Sequence, residues 1–223
     1  VTHPVLLEIE AWDRNRPRSQ QVELGASNAF GCRAAAVLQL NRVPESDPRL
    51  RWDSLVGTAI HLVAQMAAGP GVMAEERFAY RGVTASVDRY DPARKTLTDV
   101  KTKDTAAKVR SVARFGPKRE HIAQVHLGAA ALQEAGYEVE RVELLYLPRV
   151  GDPKAAYVWD DVPDRAIADE AVDWIEKANA TALDRAHMEP ADMVWGLQDE
   201  AESFCRDYCA HVSLCRGPVV GAA

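Results

Sequence analysis

Long apolar runs are missing from this sequence. No stretch has the length and hydrophobicity of a membrane-spanning helix, and the first residues show no signal-peptide pattern, so the sequence predicts a cytoplasmic protein. Internal repeats and low-complexity linkers are absent too, which excludes solenoid and disordered architectures. Cysteine is scarce, at four residues in 223. In a cytosolic protein such cysteines are more often metal-binding than disulfide-bonded. Positive charge is not in excess either: the formal net charge is −6, which argues against a general nucleic-acid binder. What is present is the composition of an ordinary globular protein, 47% hydrophobic and 27% charged, on a chain long enough to bury a sizeable core.

The charge is unevenly placed. Between Lys101 and Glu120 stand Lys101, Lys103, Lys108, Arg110, Arg114, Lys118 and Arg119, against only Asp104 and Glu120. From Asp160 to Glu202 acids far outnumber bases. The distribution suits a polyanionic substrate beside a basic patch; it also fits two solvated helix faces.

The most informative stretch runs from Ser86 to Thr102. Ser86–Asp91 and Thr96–Thr102 read as strands, and Asp91-Pro92-Ala93-Arg94-Lys95 as the turn between them, with Pro presetting its geometry and Asp capping it. Symmetric pairing about Ala93 and Arg94 sets Asp88 opposite Asp99. Alternation along the strand puts Asp99 and Lys101 on one face. Opposed carboxylates on paired strands repel, so the pattern points to a cation between them. A one-residue slip would turn Asp88 away. Taken alone, the same residues also describe a hairpin with a solvated charged face.

Further strands are expected at Val5–Ile9, at Met73–Tyr80, joined at Arg81-Gly82 to a strand from Val83 to Tyr90 that the Ser86 segment ends, and at Val139–Pro148 and Ala155–Trp159. Helices are expected from Ser27 as N-cap to Leu40, with Cys32 in the second turn, and from Asp53 or Ser54 to about Ala68. The latter is apolar nearly all round and reads as buried, with His61 one turn after Gly57. Asp104–Arg114, Lys118–Ala135, the acidic Pro163–His187 and Glu200–Ala210 complete the helices. Cys205, Cys209 and Cys215 cluster near the C-terminus, while Cys32 stands apart. Cys205 and Cys209 share a helix face. Four thiolates suit a structural zinc ion or an iron–sulfur cube, and the C-x3-C-x5-C spacing does not separate the two.

In this order the residues resemble a family. Cys32, Gly57-Thr58-Ala59-Ile60-His61, Ser86-Val87-Asp88, Asp99-Val100-Lys101-Thr102, Gln124 and the cysteine trio are similar to the RecB-like branch of the PD-(D/E)xK nucleases. Within that branch the sequence resembles single-domain exonucleases of the CRISPR-associated protein four type and their phage versions. The resemblance covers about Ser27 to Cys215. It implies an α/β, restriction-endonuclease-like core with a central mixed β-sheet flanked by helices, and a helical cysteine-bearing region joining the N- and C-terminal segments. It implies one domain over 1–223, with the metal-site core at about 53–150 and cluster-binding segments at about 27–41 and 199–216.

The implied activity is metal-dependent DNA exonuclease action on single strands or ends, in a bacterial, archaeal or phage-infected cell. His61, Asp88, Asp99 and the Val100 carbonyl would ligate Mg²⁺ or Mn²⁺. Asp88, Asp99, Lys101 and Gln124 would be the catalytic set, with Lys101 activating water and Gln124 near the scissile phosphate. Cys32, Cys205, Cys209 and Cys215 would hold a [4Fe–4S] cluster, with structural Zn²⁺ as the alternative. Implied partners are DNA, further copies of the chain, and other recombination or CRISPR proteins. The sequence departs from the family pattern at Asp99 (commonly Glu), Ala85 (often Gly), Gly128 (usually Tyr) and the three-residue gap between Cys205 and Cys209 (often two). The rival reading is a DNA-end-binding or partner-docking module on the same fold, with little activity.

Overall fold

Three consecutive strands form the antiparallel part of a five-stranded sheet: β1 (Met73–Tyr80), β2 (Val83–Asp91) and β3 (Thr96–Thr105). The structure is a computed structural model, and it describes residues 3–15, 23–46, 52–197 and 209–216. Arg81 and Gly82 join β1 to β2 with φ of 47° and 79°, the paired left-handed residues of a tight hairpin. At the next turn Asp91 Oδ1 accepts from the N–H groups of Ala93 at 3.0 Å and Arg94 at 3.3 Å. This is the capping role its sequence position predicts.

The chain then leaves the sheet. Helices α4 (Ala106–Phe115) and α5 (Arg119–Glu134) carry it back to β4 (Arg141–Val150), which runs parallel to β3. A parallel neighbour requires such a crossover. β5 (Tyr157–Asp161) closes the far edge antiparallel to β4, giving the order β1-β2-β3-β4-β5. Leu97, Val142, Leu144 and Tyr146 from the central strands meet Val109, Val125, Ala129 and Leu132 from the helices in one core. Gly128 allows α5 to lie low on the sheet, because a Cβ there would stand 3.2 Å from Leu97 Cδ2.

Packing divides the chain into two compact units. One holds Leu24–Gly31 and Val56–Lys177, hence the whole sheet, and the other gathers Val1–Glu23, Cys32–Leu55 and Ala178–Ala223. The second unit thus joins N- and C-terminal segments. It contains α1 (Pro4–Asn15), α2 (Arg33–Leu40), α7 (Pro190–Met193) and α8 (Val212–Arg216). Its core is Ala34, Val37, Leu38, Ala182, Met193 and Val194, and Asn41 Nδ2 donates to the carbonyls of Val37 at 3.0 Å and Ala182 at 3.1 Å. Two long helices, α3 (Trp52–Met66) and α6 (Arg165–Asp184), each begin in one unit and end in the other.

Four expectations are corrected. Val5–Ile9 lies in α1 and is not a strand; its short apolar run fits either period. The Ser27 helix is a 3₁₀ turn (Ala26–Asn28) followed by α2, which places Cys32 at the N-cap of α2 rather than in a second turn. α3 ends at Met66, and Gly57 is its buried residue, while Leu62, Val63 and Met66 are exposed. Its apolar circumference therefore does not reflect burial. The helix expected at Glu200–Ala210 falls mostly outside the described residues, and Cys209 and Ala210 lie outside any helix.

Candidate metal centre

The sheet lines up three carboxylates across three strands. Pairing of Ala74 with Arg89 and Glu76 with Val87 sets Glu75 across from Asp88. Pairing of Arg89 with Thr98 sets Asp88 across from Asp99, in the expected register. At this rung the regular ladder gives way. Glu75 adopts φ of 57°, a left-handed conformation unusual for a residue with a long side chain. The Val100 N–H donates to Asp88 Oδ2 at 2.8 Å, bringing a side chain where a backbone partner would stand. Strain of this kind gathers at functional sites.

Helix α3 brings the imidazole. A Cβ on Gly57 would lie 3.2 Å from Thr102 Oγ1, so the bare backbone lets the helix approach β3 closely. One turn later His61 Nδ1 reaches Asp88 Oδ2 at 3.3 Å and Glu75 Oε1 at 3.8 Å. The ligating atoms of His61, Glu75 and Asp88 lie within 4.8 Å of one another, and no other His, Cys, Asp and Glu group of three or more does so among the described residues. Asp99 is beside this trio but outside it, turned toward Lys101.

Lys101 is held from two sides. Its Nζ lies 2.8 Å from Asp99 Oδ2 and donates to Gln124 Oε1 of α5 at 2.7 Å. The contact with Asp99 is an ion pair without a hydrogen bond of good angle, so Asp99 Oδ2 is buried with no directed donor. The Lys101 ammonium offsets part of the cost of burying this carboxylate, and the off-angle contact leaves the oxygen able to accept a further cation.

The charges respond to one another. Burial pushes the Asp99 carboxyl up to about 6; Lys101 opposes the rise and Asp88 adds to it. Burial also resists ionisation of Asp88, but the His61 hydrogen bond and charge, Lys101 and the Val100 N–H outweigh it and hold its carboxyl below the usual range. Hydrogen bonds to Asp88 and then Glu75 push His61 up to about 9. The imidazolium thus supplies positive charge between two carboxylates, where a divalent cation would replace its proton. Carboxylate oxygens with one imidazole suit Mg²⁺ or Mn²⁺, and the residues present fit such an ion.

The structure brings His61, Asp88, Asp99, Lys101 and Gln124 together, and Val100 meets Asp88 through its N–H. The sequence reading missed Glu75. The signal was available in the Arg81-Gly82 turn, whose register fixes Glu75 opposite Asp88. Of the cysteines, Cys32 and Cys215 are half-buried against the core of the second unit, and Cys209 is buried beside Val212. Cys205 lies outside the described residues.

No protein-family model matches the chain, and no curated protein matches it. Solved structures do. The crystal structure of SSO0001 superposes with a TM-score of 0.58 over 96% of this chain and 95% of that one, at 12% identity. LHK-Exo, an alkaline exonuclease from Laribacter hongkongensis, superposes with a TM-score of 0.53 over 76% of this chain and 92% of its own, at 14% identity. At such identities the likeness is one of fold. The chain has the mixed five-stranded sheet, flanked by helices, of the restriction-endonuclease-like fold.

Proposed function

We propose that this protein is a divalent-metal-dependent deoxyribonuclease that hydrolyses phosphodiester bonds at DNA ends or in single strands. One observation carries the reading: an acidic rung with a buried, undirected Asp99 oxygen stands next to a lysine held by Gln124. The alkaline exonuclease LHK-Exo shares the fold, which supports the same class of reaction here. His61, Glu75, Asp88, Asp99 and the Val100 carbonyl are the ligands assigned to Mg²⁺ or Mn²⁺. Bound there, the ion supplies charge neutralisation and a water of lowered pKa. Lys101 orients the attacking water and stabilises charge on the phosphate. Gln124 fixes the lysine ammonium, and Asp99 keeps it on the ligand side. The basic residues after Lys101 follow the phosphate backbone, with affinity that falls as salt rises.

Cys32, Cys205, Cys209 and Cys215 belong to the same proposal as ligands of a [4Fe–4S] cluster, or of structural zinc. Gathering of the cysteine-bearing N- and C-terminal segments into one unit supports it. Purification without oxygen, with iron and zinc analysis and a visible spectrum, decides between the two metals. Absence of both removes this part and leaves the nuclease reading standing. The nuclease reading itself is tested by cleavage of end-labelled single- and double-stranded DNA in Mg²⁺ or Mn²⁺. Cleavage by the wild type, lost on Lys101→Ala, is expected. Tight binding without cleavage of any substrate, unaffected by EDTA, would instead establish a DNA-binding module.

A further inference from the structure

Beyond Lys101 the same face of β3 carries a second cluster of like charge, this time positive. Lys101 and Lys103 are two residues apart on one strand and so point to one side of the sheet. Two residues of strand advance about 6.5 Å, the order of the separation between successive phosphates on an extended nucleic-acid strand. Lys103 is half-buried, with its ammonium 5.6 Å from the centre of the Tyr146 ring. Tyr146 is fully buried and its hydroxyl shares a 2.8 Å hydrogen bond with His121 Nδ1. His121 lies one turn before Gln124 on α5, and Lys118 caps that helix one turn earlier.

These groups sense each other. Burial first, and then Lys118, Lys101 and Arg149, press the Lys103 ammonium below its ordinary range, with only Asp104 opposing them. Asp104 is itself taken by an ion pair with Arg149. Burial, Lys101, Lys103 and Lys118 hold His121 down to about 3, so its imidazole is neutral across the working range of pH. A half-buried ammonium among other cations is an unfavourable arrangement on its own. A phosphate among them would reverse that, because charge-assisted hydrogen bonds to phosphate are strong.

We infer that Lys103, Lys118 and His121 form a phosphate-binding subsite, seating the phosphate next to the scissile one on the substrate strand. This rests on the nuclease reading of the neighbouring acidic rung. Lys103 and Lys118 supply charge, and the neutral imidazole, oriented by Tyr146, supplies a hydrogen bond. The phosphate is either an internal phosphodiester or a strand terminus.

Binding in EDTA tests the subsite separately from catalysis. The probe is a fluorescent twelve-nucleotide single strand, read by anisotropy over a salt series with the full chain. The variants are Lys118→Gln and Lys103→Gln, alone and together, against Lys154→Gln as an equal charge change at an exposed residue outside the cluster. The double variant is expected to weaken binding about tenfold and to lower the salt slope by about 0.7 for the lost phosphate. Lys103→Arg keeps the charge and is expected to keep the affinity. Comparing unmodified, 5′-phosphorylated and 3′-phosphorylated strands assigns the source. Sensitivity of the double variant that depends on a terminal phosphate marks an end subsite, and equal sensitivity on all three marks an internal one. A double variant whose affinity and slope stay within twofold of the Lys154→Gln control overturns the inference. Absence of cleavage by the wild type, with the binding result intact, would instead overturn the nuclease reading.

Discussion

Two charged clusters on the sheet-bearing unit are built on opposite rules. At the β1–β2 turn, Arg81 reaches Asp169 at 3.1 Å and Asp173 at 3.0 Å, and approaches Glu176 at 3.5 Å, along one side of α6. Opposite charges meet there, all of them exposed, and the set is complete within the chain. At the rung of Glu75, Asp88 and Asp99 like charges meet instead, from the exposed Glu75 through the half-buried Asp88 to the buried Asp99, with a strained backbone and an Asp99 oxygen lacking a directed donor. A paired surface cluster adds little and asks for nothing. A cluster of like charges drawn into the protein opposes folding even with Lys101 and His61 beside it, which makes it a candidate ligand site.

The sharpest way to break the contrast is to remove a member of the like-charge cluster or the lysine beside it. Asp99→Ala and Lys101→Ala are each expected to reduce DNA cleavage by about a thousandfold or more, measured on end-labelled strands with folding checked by circular dichroism. Wild-type rates in either variant would show that the rung does not carry the chemistry.

Next in size is a stability effect of opposite sign. The folded Asp99 carboxyl, at about 6, lies above its ordinary 3.8, so the native state holds the proton more tightly. Stability therefore falls as pH rises from about 4 to 6, and above that range the ionised group opposes folding in full. Asp99→Asn in EDTA at pH 8 is expected to raise stability by about 1–3 kcal/mol, read by denaturant unfolding. Mn²⁺ should stabilise the wild type more than this variant. Loss of stability in EDTA would mean that the Lys101 pair outweighs burial.

His61 gives a signature of comparable size, displaced to alkaline pH. Its folded value of about 9 lies above the ordinary 6.5, so its stabilising contribution is complete below about 6.5 and is lost as pH rises through 9. Tm in EDTA should decline across that window, and His61→Gln should flatten the decline. The smallest effect belongs to the paired cluster: Arg81→Ala should leave activity unchanged and shift Tm by no more than about 3 °C.

The sequence made the rung legible in part. The Asp91-Pro92 turn sets a register from which the opposition of Asp88 and Asp99 follows, because side-chain alternation leaves no freedom once the turn is placed. β1 was readable to both ends for the same reason, with Arg81-Gly82 as its stop. Glu75 falls opposite Asp88 by that same turn register, and what no period reveals is its positive φ, a local departure from regular strand geometry. The exposure of α3 was hidden because an apolar sequence states what can be buried and is silent on whether a neighbour covers it. α1 was misread where five residues, Val5–Ile9, fit either period, and only the polar continuation through Asp13 distinguishes a helix.

The close approach of α3 to β3 has a consequence for ion choice at the proposed metal site. The missing methyl at Gly57 acts as a spacer of fixed thickness that sets how far the imidazole stands above the carboxylates. Mg²⁺ tolerates little departure from short, octahedral oxygen contacts, whereas Ca²⁺ accepts longer and looser ones. Restoring one carbon by Gly57→Ala would lift the helix by a few tenths of an ångström and widen the cage. Ion preference at the proposed metal site would thereby be tied to an atom that is not there.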